Sequence, residues 1–466
     1  MRKKAPFASL VAVLLLFAAT WWGVARYHRP KAPVQLRGPQ QNLTVAATGD
    51  WLTNGAMPFD NSHSGFAGAT NILKNASLGL TNLEVSLLDP KNIPLPEIPG
   101  TVRWPYGTIR QVEDMRRLGM SVISLANNHA MDYGVAGMKQ TQAVLDHEGL
   151  LYAGCGNNLQ EAGAPAGIGA APRRVTVIAV TTSAEAESRA TYAQGEILGR
   201  PGVNAIRYSP DVTVDAATFV TLKNSAIAAK PAPGADPNEL TLSGTVIKKG
   251  PKTVVAFTPD ERDVQDVLGR VKAARSQSDV VVVMLHSHEP SNLSETPAEF
   301  VRTLARALVD AGASFVVGSG PHQLRGIEVY KRSVILYSLG NFAVDYGVIA
   351  SRAADVYDSG VDLYQLALGS LGNLRTYPAP QFAEPVWWES VIATAAYDQG
   401  NIKSLLLQPI DLGVDLPITE RGRPQIAAAE RGNEILQRLV RLSQGVGTQI
   451  RVENGQGVID LSSHNR

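Results

Sequence analysis

The stretch Asp279–Val280–Val281–Val282–Val283–Met284–Leu285 says more about the fold than any other part of this sequence. It is an almost unbroken run of β-branched and aliphatic residues, without a turn residue inside it. A continuous apolar run of this length is typical of a strand that is buried on both faces of a sheet. His286 and His288 follow the run, so the predicted central strand ends in two imidazole side chains.

On both sides of this strand, short β-rich runs alternate with segments whose apolar residues recur at helical spacing. The alternation predicts an α/β fold with mostly parallel sheets. Further strands are predicted at Leu43–Thr48, Leu78–Leu83, Ser121–Ala126, Val175–Val180, Ser314–Val317 and Ser333–Tyr337, with strand-like runs at Ser390–Tyr397 and Lys403–Gln408. The predicted helices are Ile109–Leu118, Val135–His147, Val264–Ala274, Ala298–Ala311 and Ile426–Leu442.

The first part of the chain carries a hydrophobic segment that we expect to enter a membrane. Arg2, Lys3 and Lys4 precede an uncharged run from Ala5 to Ala25. At about 1.5 Å per residue this run is long enough to cross a hydrocarbon core of about 30 Å. The leading positive charges favour a cytoplasmic N-terminus and a main domain outside the cytoplasm. The length of the run favours a retained single-pass anchor in the cell membrane, and cleavage as a signal peptide, which would leave a secreted or periplasmic protein, is the alternative.

Composition and charge exclude several classes of protein. Of the 466 residues, 44% are hydrophobic and 18% are charged, which is typical of a globular chain with a large core. The balance of 43 basic and 42 acidic residues gives no indication of a nucleic-acid partner. The single cysteine, Cys155, excludes an internal disulfide and a four-cysteine metal site, and we expect it to be a small buried side chain.

We predict three parts along the chain. Residues 1–41 form a cytoplasmic stub, the hydrophobic segment and a proline-containing tether. Residues 42–415 form one large domain with a less periodic insertion around 185–260, which is rich in Ala, Pro and Gly. Residues 416–466 form a C-terminal extension with a packing helix.

Polar side chains follow the ends of five predicted strands, where ligands bind in open α/β sheets. These side chains are Asp50, Glu84, the run Asn127–Asn128–His129, the pair His286 and His288, and His322. Any one of them is more often a turn or cap residue than a ligand, but their recurrence at equivalent positions favours a shared site. Mixed oxygen and imidazole donors suit divalent Mn, Fe or Zn. Asp50, Glu84, Asn128, His286 and His322 could hold two such ions, with His129 as a proton donor.

These residues lie in motifs that resemble those of the CapA family, the bacterial poly-γ-glutamate capsule synthesis proteins, whose fold is similar to calcineurin-like metallophosphoesterases. The motifs are Thr48–Gly49–Asp50, Asn82–Leu83–Glu84, Ser124–Leu125–Ala126–Asn127–Asn128–His129 with Asp132–Tyr133–Gly134, and Tyr337–Ser338–Leu339–Gly340–Asn341–Phe342. The resemblance implies a four-layered α/β/β/α sandwich with a dinuclear metal site.

The resemblance also implies a role for each residue of the predicted site. By position, Asp50 resembles the first aspartate ligand and Glu84 takes the place of the bridging carboxylate. Asn128 resembles the amide ligand, and His129 resembles the adjacent histidine that assists the leaving group. His286 and His322 resemble the last two histidine ligands.

Two departures from the family pattern affect the predicted ligand set. The first motif is Asp50–Trp51–Leu52, without the histidine two residues after the aspartate that the phosphoesterases carry. In Gly318–Ser319–Gly320–Pro321–His322, Ser319 replaces an expected histidine ligand, which would weaken the second metal position. His288 lies two residues after His286, and alternate residues of a strand share a face, so it could supply the missing imidazole or contact substrate. The alternative is that His288 is a solvated loop residue.

Three further residues have open assignments. Asp132 could orient the imidazole of His129, or it could cap the helix predicted from Val135. Asn127 is placed with Asp132 among the residues that support the ligands. Arg325 could bind an anionic substrate, or it could be an ordinary surface charge.

The leading hypothesis is an exported CapA-like protein of poly-γ-glutamate or capsule polymer biosynthesis or processing. It would be a metal-dependent, phosphoesterase-like hydrolase acting on an anionic polymer or a phosphoester. It would be held at the cytoplasmic membrane, where other capsule-synthesis membrane proteins could be its partners. Two alternatives remain: a non-catalytic envelope scaffold that binds an anionic polymer or assembly partners, and a metallophosphoesterase unrelated to capsule.

Overall fold

A computed structural model describes residues 32–38, 43–59, 64–94, 106–225, 236–242, 245–345, 384–416 and 420–462. They form a mixed α/β fold with several sheets. The hydrophobic run from Ala5 to Ala25 lies outside the described residues. Among the residues described, no helix is long and apolar enough to span a bilayer.

Twenty-two strands are found in the described part of the chain. They are β1 (Leu43–Leu52), β2 (Leu78–Leu83), β3 (Val122–Ser124), β4 (Leu151–Ala153), β5 (Cys155–Gly156), β6 (Ala166–Ile168), β7 (Val175–Thr181), β8 (Gly202–Val203), β9 (Tyr208–Val214), β10 (Glu239–Leu242), β11 (Thr245–Lys249), β12 (Val254–Pro259), β13 (Val280–His286), β14 (Phe315–Ser319), β15 (Ile327–Tyr330), β16 (Ser333–Leu336), β17 (Asn341–Val344), β18 (Glu389–Asp398), β19 (Asn401–Asp411), β20 (Gln425–Ile426), β21 (Arg451–Glu453) and β22 (Gln456–Asp460).

The α-helices of the same residues connect and cover these strands. They are α1 (Ser64–Asn75), α2 (Ile109–Leu118), α3 (Gly134–Glu148), α4 (Leu159–Ala162), α5 (Ala216–Lys223), α6 (Glu261–Arg275), α7 (Glu299–Asp310) and α8 (Ala429–Gln444), with a short 3₁₀ helix at Pro385–Trp388. Helix α2 shows the local reasons for such bounds. Thr108 and Gln111 form a capping box at its start, and Gly119 ends it with a left-handed φ of 92°.

The larger sheet has ten strands, and β1 lies in its middle. The strand order is β21-β22-β19-β18-β1-β2-β3-β4, with β17 also paired to β1 and β20 paired to β19. Strands β1, β2, β3 and β4 run parallel, whereas β18 and β19 are antiparallel to their neighbours. The register of β1 shifts next to Asp50 on both sides, and such an irregularity changes the direction of a side chain at the end of a strand.

The second large sheet has six strands in the order β15-β16-β14-β13-β7-β6. Its four central strands are parallel, and the two edge strands are antiparallel. The predicted central strand is β13, which lies between β14 and β7. The prediction of mostly parallel strands therefore holds for the centre of this sheet and for half of the larger one.

Alternate residues of β13 face two different apolar clusters. Val280, Val282 and Met284 belong to a cluster that also contains Val45 and Leu80 of the larger sheet. The other face of β13 packs on helices α6 and α7, through a second cluster that contains Val281, Val283, Leu285, Val271 and Leu304. The prediction that this strand is buried on both faces is confirmed. Helices α1, α2 and α3 contribute Leu73, Met115 and Leu145 to a third cluster on the far side of the larger sheet.

The predicted insertion contains a small sheet of its own. Strands β9 to β12 pair in the order β10-β11-β9-β12, and α5 packs on them through Phe219, Val214 and Ile247. The predicted C-terminal extension is joined to the main sheet, because β22 pairs with β19 and residues of α8 lie in the central cluster. Helix α8 begins at Ala429 rather than Ile426, since Gln425 and Ile426 pair with β19 instead.

Candidate metal centre

The two large sheets bring their polar strand ends together at one place. Asp50 lies near the end of β1, and Glu84 follows the last residue of β2. From the second sheet, His286 ends β13 and Ser319 ends β14, next to each other in register. Side chains that are far apart in sequence therefore meet because parallel strands all end at the same edge of a sheet.

Glu84 lies at the centre of the cluster and is completely buried. Neither of its carboxylate oxygens has a hydrogen-bond partner among the described residues. The imidazole nitrogens around it lie just beyond hydrogen-bond distance: His286 Nε2 at 3.6 Å, His288 Nε2 and His322 Nδ1 at 3.7 Å, and His129 Nε2 at 4.0 Å. A buried carboxylate without a partner is costly, and spacing of this kind leaves room for a cation between the groups.

Two overlapping triads of ligand atoms could hold metal ions. One consists of Asp50, Glu84 and His286, and the other consists of Glu84, His288 and His322. In each triad the ligand atoms lie within 4.8 Å of one another. Glu84 belongs to both, which is the arrangement that a bridging carboxylate requires. The mixed carboxylate and imidazole donors fit a divalent transition metal.

Hydrogen bonds fix the first triad from both sheets. Asp50 Oδ1 accepts from Asn82 Nδ2 at 2.8 Å, and Asp50 Oδ2 accepts from the Gly320 amide at 3.0 Å. His286 Nδ1 lies 3.0 Å from Ser319 Oγ, and its Nε2 lies 2.8 Å from Asn128 Oδ1. Ser319, which replaces the expected histidine, therefore contacts an imidazole of the cluster.

His288 faces the cluster and is not a solvated loop residue. Its Nε2 lies 3.0 Å from His286 Nε2 and 3.3 Å from Asn128 Oδ1. Its Nδ1 lies 2.6 Å from Asn292 Oδ1, so the Nδ1–H donates to that amide oxygen and Nε2 carries the lone pair. The structure thus places a third histidine on the side where Ser319 removed one.

His322 is held in an unusual backbone conformation. Its φ is 59°, in the left-handed region that a non-glycine residue rarely adopts. Its Nδ1 lies 3.1 Å from Asn341 Oδ1, and this contact orients the ring toward Asp50 and Glu84. Strain of this kind is typical of functional sites.

His129 and Asp132 form a hydrogen-bonded pair beside Glu84. His129 Nδ1 lies 2.9 Å from Asp132 Oδ2, while the His129 Nε2 atom faces Glu84. Asp132 does not cap the following helix, because α3 begins at Gly134 with Tyr133 as its N-cap residue and no side-chain cap. Asn127 supports the same turn: its Oδ1 accepts from the His129 amide, and its Nδ2 donates to Asn82 Oδ1 and to the Leu83 carbonyl.

Burial shifts the pKa values of this cluster in opposite directions. Burial and then the Asp50 charge raise the pKa of Glu84 well above its usual range, and burial raises that of Asp50. Burial and the neighbouring imidazoles lower the pKa values of His286 and His322 well below theirs. For His129 burial acts to lower the pKa, but the carboxylates of Asp132 and Glu84 raise it above its ordinary value. His286 and His322 are therefore neutral near pH 7, as metal ligands must be.

Arg325 is not a surface charge, and its guanidinium faces the backbone of a loop. Its side chain is fully buried. The guanidinium donates to the backbone carbonyls of Ser294 at 3.1 Å, Glu289 at 2.9 Å, His288 at 3.3 Å and Ser291 at 3.0 Å. All four of these side-chain hydrogen bonds are to one loop, so Arg325 fixes the segment that carries His288.

Sequence reasoning missed two residues that contact the cluster. Asn82 bridges Asp50 and Asn127, and its position two residues before Glu84 in a strand-end motif is a signal that could have identified it. Asn292 contacts His288 from an irregular loop, where no sequence pattern distinguishes it from other loop residues. Cys155 is buried and lies apart from the cluster, and burial raises the pKa of its thiol to about 12.

Comparison with known proteins shows which family this chain belongs to. The profile of the family described as "Bacterial capsule synthesis protein PGA_cap" matches residues 44–346. The uncharacterized protein y4uA of Sinorhizobium fredii is 35% identical over 443 residues, which cover 90% of this chain and 93% of that protein. The capsule biosynthesis protein CapA of Bacillus anthracis is 29% identical over 375 residues, covering 79% of this chain and 74% of that protein.

Among solved structures, the chain superimposes on GAP50, "the anchor in the inner membrane complex of Plasmodium". The TM-score is 0.30 and the sequence identity is 8%, over 87% of this chain and 96% of GAP50. The family profile covers all the strand-end residues of the cluster, from Asp50 to His322. This chain therefore belongs to the bacterial capsule synthesis protein PGA_cap family, the CapA family whose motifs its sequence carries.

Proposed function

We propose that this protein is a metal-dependent hydrolase of capsule polymer biosynthesis or processing, acting on poly-γ-glutamate or on a related anionic polymer or phosphoester. The observation that carries the proposal is the buried carboxylate of Glu84, which is shared by two ligand triads and has no hydrogen-bond partner in the part of the chain that the structure describes. A buried carboxylate of this kind is costly unless a cation or a proton compensates its charge, and such groups cluster at functional sites. The capsule part of the proposal is supported by the function in the name of the CapA relative.

The layer arrangement supports a metallophosphoesterase-type α/β/β/α sandwich. Helices α6 and α7 cover one outer face, and α1, α2 and α3 cover the other. The two sheets share the apolar cluster between them. In this reading the candidate centre lies where both sheets end, so that each sheet contributes ligands.

The residues fit two divalent ions, for which Mn, Fe or Zn is suitable. Asp50, Glu84 and His286 would hold one, and Glu84, His288 and His322 would hold the other, with Asn128 Oδ1 facing both His286 and His288. Such a pair, when bound, lowers the pKa of a water molecule and stabilises negative charge on the reacting group. To hold such a pair of ions, this chain supplies neutral imidazoles, two buried carboxylates and one amide.

His129 is suited to give a proton to the leaving group. Its Nδ1 is fixed by Asp132, and its raised pKa keeps a proton available near neutral pH. The Nε2 atom is the one directed at the cluster. Residue His129 thus combines the position and the protonation state that a general acid needs.

We also propose a location and partners. The hydrophobic run before the described domain would anchor it in the cytoplasmic membrane, with the site outside the cytoplasm, unless that run is removed as a signal peptide. Other capsule-synthesis membrane proteins are the proposed neighbours.

The test combines metal analysis with an activity assay on the full-length protein. We expect wild type to bind close to two equivalents of Mn²⁺ and to hydrolyse members of a panel of aryl phosphomonoesters, phosphodiesters and poly-γ-glutamate. The D50A/H322A double variant removes one ligand from each triad and should bind none. His129→Ala should keep its metal and lose roughly 10²- to 10⁴-fold in kcat. Equal, negligible metal in wild type and the double variant would contradict the proposal.

A non-catalytic scaffold is the second candidate, and Ser319 is the observation that favours it. This residue contacts His286 where the family pattern has a ligand, so the second triad depends on His288. Metal binding without turnover of any substrate in the panel would favour the scaffold. Turnover that His129→Ala abolishes favours the hydrolase.

A further inference from the structure

The backbone carbonyls of the loop that carries His288 accept hydrogen bonds from side chains of the protein. The guanidinium of Arg325 donates hydrogen bonds to four of these carbonyls, between His288 and Ser294. A fifth carbonyl of the loop, that of Asn292, accepts from Gln323 Nε2. Backbone groups of a surface loop normally bond to water, so it is unusual that so many carbonyls of this loop bond to protein side chains. The loop is therefore held in one conformation by groups behind it.

A line of hydrogen bonds continues from this loop to the C-terminal helix. Asn292 contacts His288 Nδ1 through its side chain and Gln323 through its carbonyl. Gln323 Oε1 in turn accepts from Arg438 Nη2 of α8 at 2.7 Å. Arg438 Nη1 donates to the buried Glu389 of β18 at 2.8 Å, which fixes the guanidinium in place.

From these contacts we infer that helix α8 positions His288 for metal binding, through Arg438, Gln323 and Asn292. The inference rests on the proposed function, because it assigns these three residues to one of the two proposed metal positions. None of them is a ligand. Each acts by holding the next, and the last contact keeps the proton of His288 on Nδ1 and the lone pair on Nε2. Partners of this kind set the orientation and tautomer of a ligating histidine.

The surrounding charges show that the ion pairs of Arg438 can be replaced, whereas its hydrogen bond to Gln323 cannot. The Arg438 side chain is 10% exposed, and it pairs with both Glu295 and Glu389. Without Arg438, Glu389 still has Arg431 at 3.0 Å, and Glu295 still has Arg441 at 2.9 Å. The hydrogen bond to Gln323 has no such substitute among these residues. Removal of Arg438 therefore acts mainly on the line that leads to His288.

Arg441 provides a matched control. It lies one turn further along α8 and also pairs with Glu295, but its side chain is 59% exposed. Both of its side-chain hydrogen bonds go to Glu295, and neither reaches Gln323. Arg438→Met and Arg441→Met thus remove the same type of side chain from the same helix, and only the first interrupts the line.

The experiment measures Co²⁺ binding to the full-length protein by its visible absorption, without any activity assay. We expect Arg438→Met and Asn292→Ala to weaken one of two Co²⁺ sites by about 10- to 100-fold and to leave the other unchanged. Arg441→Met should bind as wild type does. Asn292→Asp keeps an acceptor for His288 Nδ1 and should restore the affinity. In a His288→Ala background, Arg438→Met should cause no further loss, since coupled residues are not additive.

Hydrogen exchange of the loop from His288 to Ser294 gives a readout that needs no metal. Its amides should exchange faster in Arg438→Met than in Arg441→Met. If Arg438→Met does not fold, the Asn292→Ala and Asn292→Asp pair decides the question. Unchanged Co²⁺ affinity in Asn292→Ala, or a further loss from Arg438→Met without His288, would overturn the inference. A wild type that binds no Co²⁺ but shows the exchange difference would refute the proposed function and leave the positioning of the loop standing.

Discussion

Arg325 shows how a single buried cation can organise a site through the backbone of a loop, without contacting the ligand atoms of that site. Its side chain is fully buried, and burial lowers its pKa to about 10. A guanidinium is always charged near neutral pH, so its burial is tolerated because each of its three nitrogens donates at least one hydrogen bond. Four backbone carbonyls of the loop from His288 to Ser294 provide these acceptors.

We expect Arg325→Met to lower the free energy of unfolding by roughly 2–5 kcal/mol, because it leaves buried carbonyls without donors. Urea denaturation of the full-length protein measures this. Arg451→Met is the control, since Arg451 is exposed and its pair with Glu453 is worth less than about 1 kcal/mol. If Arg325→Met lowers the free energy of unfolding no more than Arg451→Met does, water replaces the guanidinium as the donor to these carbonyls.

At this scale, the sequence identifies the residues at strand ends and misses those that support them. Asp50, Glu84, His286 and His322 could be predicted because strand direction alone brings them to one edge. Asn292 and Gln323 could not, because their contacts depend on the path of an irregular loop. The loop contacts of Arg325 could not be predicted for the same reason, because nothing near Arg325 along the chain indicates that a loop lies across it.

Strand β1 and the segment before β17 approach each other more closely than side chains allow. A Cβ atom at Gly49 would lie 1.9 Å from the Gly340 carbonyl oxygen. The same carbonyl accepts from the Asp50 amide at 3.0 Å. Two of the motifs, Thr48–Gly49–Asp50 and Tyr337–Phe342, are therefore in direct contact, and the glycines permit that contact.

Gly49→Ala should push these elements apart and displace Asp50. We expect a loss of about 1–3 kcal/mol in the free energy of unfolding, the usual range for overpacking, together with weaker metal binding. Denaturation and Mn²⁺ titration of the same preparation measure both. Gly167→Ala is the matched control, because no atom lies within 4 Å of its Cβ position. Wild-type metal affinity in Gly49→Ala would show that Asp50 does not depend on this contact.

Buried elements were predicted well from sequence, and edge elements were not. The bounds of β2 and α2 agree with the prediction at every residue, and β13 differs by one residue at each end. Helix α1 was missed because two glycines and two asparagines weaken its pattern. Strands β20, β21 and β22 are short, and their pairing with β19 is set by tertiary contacts rather than by their own composition.

For the whole molecule, the C-terminal residues are part of the main core. Six buried residues after residue 416 belong to the cluster between the two sheets: Ile435, Leu436, Leu439, Ile450, Ile459 and Leu461. Burial of each is worth about 2 kcal/mol, and a domain is stable by only about 5–15 kcal/mol in total. The segment predicted as a C-terminal extension therefore contributes side chains to the apolar cluster between the two sheets.

A chain that ends at Leu416 should lose the cooperative unfolding transition and aggregate on purification. Its apolar cluster would be open to water, and β19 would become an unpaired edge. Differential scanning calorimetry and size-exclusion chromatography measure the outcome. A chain that ends at Ser462 keeps every residue of the cluster and serves as the control. A soluble truncated protein with a wild-type melting temperature would show that the main domain folds without this segment.

The central position of β1 also determines when the molecule can fold. One side of β1 pairs with β2, which follows soon after it in the sequence. The other side pairs with β17 and β18, which lie much nearer the end of the chain. Contacts of such high sequence separation slow folding, because a long loop must close before they form. During synthesis β1 can therefore pair with β2 early, but its other edge stays unpaired until most of the protein has left the ribosome.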